Sequence, residues 1–167
     1  IMDTDLLWFG VRMWGLKVTD LMQGPVYGVE TPEIDNDQNL RTIFNYDEIF
    51  GTVINRFITQ AVMGYPLTIY GEGGQTRGYL NINDTLQCIM IAALNPPKKT
   101  ELRIFNQIVE TLSVRDIAEK VIIAGKEIGL DIKLKNIDNP RIEQESHYYN
   151  PTHQGLADLG VKPNYFT

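Results

Sequence analysis

The stretch from Tyr65 to Asp84 constrains the fold most. A short apolar run, Leu67-Thr68-Ile69-Tyr70, enters a turn carrying Gly71, Gly73 and Gly74. Arg77 follows, and a second short run reaches Asp84. Three glycines tolerate positive φ and put no side chain in the way, so such a turn lets backbone approach a ligand closely. An arginine offers a fork of N–H donors matched to phosphate oxygens. Asp84 reads as an N-cap opening a helix over 85–94. Together these features read as one wall of a site for a diphosphate-bearing small molecule. A surface hairpin with an exposed arginine accounts for the pattern equally well.

The 167 residues suit one domain with a real core, and 43% hydrophobic content argues for a folded globule. No apolar run reaches membrane-spanning length and no signal-peptide pattern is visible, so no membrane partner is expected. The net charge is −6. That balance argues against nonspecific nucleic-acid binding, which needs a basic footprint. It leaves room for a small anion, because a local arginine cluster outweighs global charge at short range. Cys88 is the single cysteine, on an apolar helical face, and reads as a buried structural thiol. One cysteine with His147 and His153 makes no zinc ligand set, so no metal is expected. A lone thiol and no leader fit a reducing compartment, cytoplasm or plastid stroma.

Along the chain, Ile1 to Trp14 has helical spacing and stops at Gly15. No cap precedes it, which suggests a helix beginning upstream. Leu16 to Met22 reads as a strand, followed by a turn, Gln23-Gly24-Pro25-Val26-Tyr27-Gly28. Glu30 to Asn45 is polar and reads as a long loop. Asp47 to Met63 reads as an amphipathic helix burying Ile49, Phe50, Val53, Ile54, Phe57, Ile58, Ala61 and Val62. Leu102 to Val109 reads as a strand, and Ser113 caps a helix with Asp116 at its third position. Ile132 to Ile137 reads as an edge strand, and Pro151 to Leu159 as a last short helix. Strands and helices alternate, so the fold class is α/β.

The Gln23 turn after a strand and the 66–84 unit resemble the extended short-chain dehydrogenase/reductases that modify nucleotide sugars. Further motifs narrow the resemblance: Phe44-Asn45-Tyr46-Asp47, Phe50-Gly51-Thr52, Asn55-Arg56-Phe57, Phe105-Asn106-Gln107, and the run from Asn139 through Arg141 and His147-Tyr148-Tyr149 to Asn150. Together they look like the UDP-sulfoquinovose synthase family, which combines UDP-glucose with sulfite using NAD. The match runs along essentially the whole chain but resembles only the C-terminal portion of such an enzyme. It implies that 1–29 ends an NAD-binding Rossmann domain. It also implies that 30–167 is mainly a nucleotide-sugar-binding domain, with some segments returning to the Rossmann sheet. A homodimer is implied as well, with the opening helix pairing across it. The family's glycine-rich NAD fingerprint and Tyr-x-x-x-Lys pair do not occur in these residues. No catalytic residue is therefore assigned, and the isolated chain is expected to be inactive. Its exposed hydrophobic surface is expected to make it associate. Another epimerase or 4,6-dehydratase is the alternative within enzymes; a noncatalytic nucleotide-sugar-binding or assembly module is the alternative outside them.

The resemblance assigns roles residue by residue. Tyr70 would stack uracil, with Thr68 and Ile69 presenting backbone groups to its edge. Arg77 and Arg141 would bind the diphosphate, although Arg141 could equally pair with Glu143 or Glu145. Tyr148 would close over ribose or phosphate. Gln23 would donate to the sugar or the nicotinamide carboxamide, and Val26 and Tyr27 would lie near the nicotinamide ring. Thr52 would touch sugar or phosphate, or merely cap its helix. Arg41 is a candidate sugar or sulfite contact, and Asn106 would fix a loop near the nucleotide.

Overall fold

The computed structural model describes residues 2–47, 49–140 and 149–166. Helix α1 (Met2–Trp14) leads to strand β1 (Val18–Gln23) and the short β2 (Val26–Tyr27). Helix α2 (Pro32–Asn36), a 3₁₀ turn (Gln38–Leu40) and α3 (Val53–Val62) follow. Then come β3 (Leu67–Tyr70), β4 (Thr76–Asn81), α4 (Ile82–Leu94), β5 (Leu102–Gln107) and β6 (Glu110–Ser113). Helix α5 (Val114–Glu127), β7 (Leu134–Ile137) and α6 (Gln154–Asp158) complete the order. The fold is α/β with mostly parallel pairing: β1 with β5, β2 with β4, and β3 with β7 run parallel, while β4 and β6 run antiparallel.

The central unit departs from a hairpin. β3 and β4 do not pair with each other; β3 takes β7 as its neighbour and β4 lies between β2 and β6. Carbonyls of the glycine turn between them are engaged within the protein. Arg115 of α5 donates through Nε and Nη2 to the Glu72 carbonyl, and Asn136 donates to the Gly71 carbonyl. Strand β6 was not legible because Glu110-Thr111-Leu112-Ser113 is polar, and β2 because it is two residues long. The loop after Glu30 contains α2, which starts with Pro32 at its first turn.

Helix α3 starts later than its periodicity suggests. Thr52 caps it by accepting from the Asn55 amide at 3.2 Å. Asp47 instead closes a separate turn, accepting from the Ile49 and Phe50 amides at 2.8 Å each. Ile49 and Phe50 are consequently exposed, and the buried face narrows to Ile54, Phe57 and Ala61. At the other end Gly64, at φ +72°, donates to the Ala61 carbonyl while Tyr65 donates to that of Gln60. This left-handed stop turns the chain directly into β3.

Helix α4 is capped by Asn81, which accepts from the Asn83 amide, and not by Asp84. Asp84 is fully buried one turn in, where it accepts from the backbone and side-chain amides of Asn164 at 2.9 and 2.6 Å. The capping box of α5, Ser113 with Asp116, forms as expected. Cys88 is buried, as its helical position suggests.

One core joins α3, α5 and the strands between them: Tyr27, Ile54, Phe57, Ala61, Leu67, Ile69, Tyr79, Leu112, Ile117, Ala118 and Val121. Backbone approach is close where β1 hands over to β2. A Cβ on Gly24 would lie 2.5 Å from the Gly78 carbonyl oxygen. Glycine at this position lets the turn after β1 lie against the middle of β4, beside Arg77. Elsewhere α1 leaves Leu6, Trp8, Phe9, Met13 and Trp14 exposed. Among the described residues, no helix is long and apolar enough to cross a membrane, and no cluster of His, Cys, Asp and Glu could hold a metal ion.

Candidate nucleotide-binding site

A cavity of about 460 Å³ opens between the start of α3, the end of β3 and one face of β4. Its walls hold Asp47, Thr52, Arg56, Tyr70, Gln75, Arg77 and Tyr79, with Pro140 closing one side. Strand alternation explains the floor: Gln75, Arg77 and Tyr79 recur every second residue and share one face. Helical spacing explains the wall: Thr52 and Arg56 stand one turn apart. The volume falls within the range of roughly 300–1,000 Å³ usual for small-molecule sites.

Among the described residues, two guanidinium groups and one carboxylate line this space. Arg77 donates through Nη1 to the Thr76 carbonyl at 2.8 Å, which holds its stem along the strand. The Arg56 guanidinium lies over the Tyr70 ring at 4.4 Å and donates to the Thr68 carbonyl at 3.0 Å. Amide donors from Phe50 and Ile49 hold the Asp47 carboxyl below the ordinary carboxylate range, so it is ionised at neutral pH. The described lining is thus net positive by one charge in a chain of net −6. The capped N-terminus of α3 adds partial positive charge. Such a lining suits an anion with a flat ring attached.

Tyr79 is almost fully buried, and burial pushes its phenol up to about 12, opposed by Arg77 and assisted by Tyr149. Burial raises the Tyr27 phenol and the Cys88 thiol as well. The native state therefore keeps protons that the unfolded chain releases from about pH 9 to 10 upward. Their stabilising contribution is complete below that range and is lost as pH rises toward the folded values. The urea midpoint should fall between pH 8 and pH 11, and less steeply in Tyr79→Phe. A midpoint that holds or rises over that interval contradicts this.

The structure brings only some of the expected residues together. Thr52, Tyr70 and Arg77 share the cavity. The Thr68 amide donates to Gln60 and its carbonyl accepts from Arg56. Ile69 is fully buried. Tyr27 turns into the core, donating to Glu110 at 3.0 Å and packing edge-on against Phe166. Val26 is half-buried in β2 opposite Leu80. Gln23 ends β1 opposite Gln107, exposed and away from the cavity. Arg41 is exposed and pairs with Glu30 at 3.6 Å, also outside the cavity. Asn106 donates to the Thr152 carbonyl at 2.7 Å. Arg141, His147 and Tyr148 lie outside the described residues. Arg56, Gln75, Tyr79 and Asp47 were not singled out from sequence as site residues. The period-two row on β4 and the one-turn spacing on α3 are the signals that could have found the first three.

No family model matches the chain. Chloroplastic UDP-sulfoquinovose synthase of Spinacia oleracea is 51% identical over 162 residues, 97% of this chain. The chain matches the UDP-sulfoquinovose synthases along nearly its whole length. The UDP-sulfoquinovose synthase of Sulfolobus acidocaldarius is 49% identical over 96% of the chain. The chain spans 34% of the spinach synthase and 41% of the archaeal one. A UDP-glucose 4-epimerase of Thermotoga maritima, solved with UDP-glucose, shares the fold at a TM-score of 0.71 and 18% identity. That likeness covers 97% of this chain and 46% of the epimerase chain. The Thermus thermophilus UDP-glucose 4-epimerase, solved with NAD, has a TM-score of 0.67 at 20% identity, over 97% of this chain and 47% of its own. The synthases and the epimerases thus share this α/β arrangement.

Proposed function

We propose that this chain forms the UDP-sugar-binding part of a UDP-sulfoquinovose synthase, acting on UDP-glucose and sulfite with NAD. The observation that carries this is the cavity in which Arg77 stands beside Tyr70 at the start of α3. Arg77 binds the diphosphate, in a charge-assisted contact worth roughly 1.5–3 kcal/mol. Tyr70 supplies an aromatic surface for uracil. Binding energy from nucleotide groups remote from the reacting sugar carbons orients the hexose for reaction, which is where proximity effects arise. Relatives named for the same synthase at about half identity support the substrate class.

The residues here do not fit a pyrophosphate cradle for NAD. The glycine turn precedes a strand rather than a helix, and its Gly71 and Glu72 carbonyls are engaged by Asn136 and Arg115. No step is routed through the dinucleotide by these residues, and no Tyr-x-x-x-Lys pair supplies a base. The 167-residue chain should therefore bind UDP-glucose yet form no UDP-sulfoquinovose from UDP-glucose, sulfite and NAD. Product formation by the chain alone would overturn the division of labour; failure to bind UDP-glucose would overturn the site.

A further inference from the structure

We propose that Arg56 is a positioning residue for base recognition, holding the Tyr70 ring in the cavity wall where a nucleotide base meets it. The inference rests on the UDP-sugar reading of this cavity. Two contacts by one side chain carry it. The guanidinium lies 4.4 Å from the Tyr70 ring centroid, and its Nη2 donates to the Thr68 carbonyl two residues earlier on the same strand. Arg56 also lies 5.3 Å from the Phe57 ring, which is fully buried, so its stem stands on a rigid base.

The edge of β3 away from β7 is closed by α3. Gln60 accepts from the Thr68 amide at 3.0 Å and donates to the Thr68 hydroxyl at 2.7 Å, while Arg56 takes the carbonyl. The Thr68 main-chain groups are thus taken by side chains of α3. The Tyr70 ring lines the cavity at this point, and its orientation falls to the cation packed on it. A planar guanidinium can stack on a ring and donate sideways at once; a lysine ammonium cannot reproduce both. Arg56 also keeps a fixed positive charge in the same space as Arg77.

The test compares two probes, UDP and inorganic pyrophosphate, which share the diphosphate but not the base. Titration calorimetry of the 167-residue chain measures both. Arg56→Lys keeps the charge, so pyrophosphate affinity should stay within about twofold of wild type while UDP affinity falls about fivefold. Tyr70→Ala should show the same selective loss, and adding Arg56→Lys to it should change UDP binding no further. The role is overturned if Arg56→Lys leaves UDP affinity unchanged, or weakens pyrophosphate as much as UDP. Arg77→Ala separates the levels: if it leaves both probes bound as in wild type, the site reading itself fails, whatever Arg56 does.

Discussion

Replacing Arg77 with alanine should weaken UDP binding by about ten- to a hundredfold. The estimate follows from a charge-assisted contact of roughly 1.5–3 kcal/mol, with about 1.4 kcal/mol for each tenfold. Arg77 lies on the cavity floor with Tyr79 of β4 and with Gln75 just before the strand. The strand itself is held by backbone pairing to β2 and β6, which the substitution leaves intact. Thermal stability should therefore change little. Uridine, which lacks phosphate, should bind the variant as it binds wild type. The wild-type interaction should also weaken with added salt, and the variant's less so. Equal loss for UDP and uridine would point to a damaged fold; unchanged UDP affinity would remove Arg77 from the site.

Phe57→Ala should cost about 3–5 kcal/mol of folding stability, the usual range for emptying a buried aromatic position. Phe57 is wholly buried in the core that joins α3, α5 and β3. Its loss removes packing that nothing nearby replaces and undercuts Arg56, whose guanidinium lies close to the ring. Against a typical total of about 5–15 kcal/mol, this is a large share. Urea unfolding followed by far-ultraviolet circular dichroism measures it. A loss below about 1 kcal/mol would mean that the core is centred elsewhere.

Much of this architecture was readable from residues alone. Capping chemistry was the most reliable guide where a local motif acted by itself: Ser113 and Asp116 set the start of α5, and Gly15 follows the end of α1. Periodicity failed where two local signals competed. The apolar spacing from Ile49 onward continued into α3, but Asp47 took the Ile49 and Phe50 amides for its own turn and Thr52 capped a later start. Asp84 illustrates a tertiary override. It has the chemistry of a cap, but Asn164, eighty residues on, claims both its oxygens. The pairing of β3 with β7 and of β4 with β6 joins segments far apart in sequence, and adjacency favoured a hairpin instead.

The site was half legible. Arg77 and Tyr70 stood out because arginine after a glycine turn and an aromatic at a strand end are chemically distinctive. The burial of Tyr27 was not legible, because its neighbours are glycines and a proline, which suggest an open turn; the structure buries the ring and pairs its hydroxyl with Glu110. Arg56 was missed because an arginine in an amphipathic helix ordinarily faces solvent. Only the closeness of β3 shows that it lies on Tyr70.

A crystal structure of the chain grown with UDP-glucose tests the central claim most directly. The account predicts diphosphate oxygens within hydrogen-bond distance of the Arg77 guanidinium and uracil against the Tyr70 ring, inside the hollow between α3 and β4. Nucleotide bound at another surface, with Arg77 touching no phosphate, would contradict it.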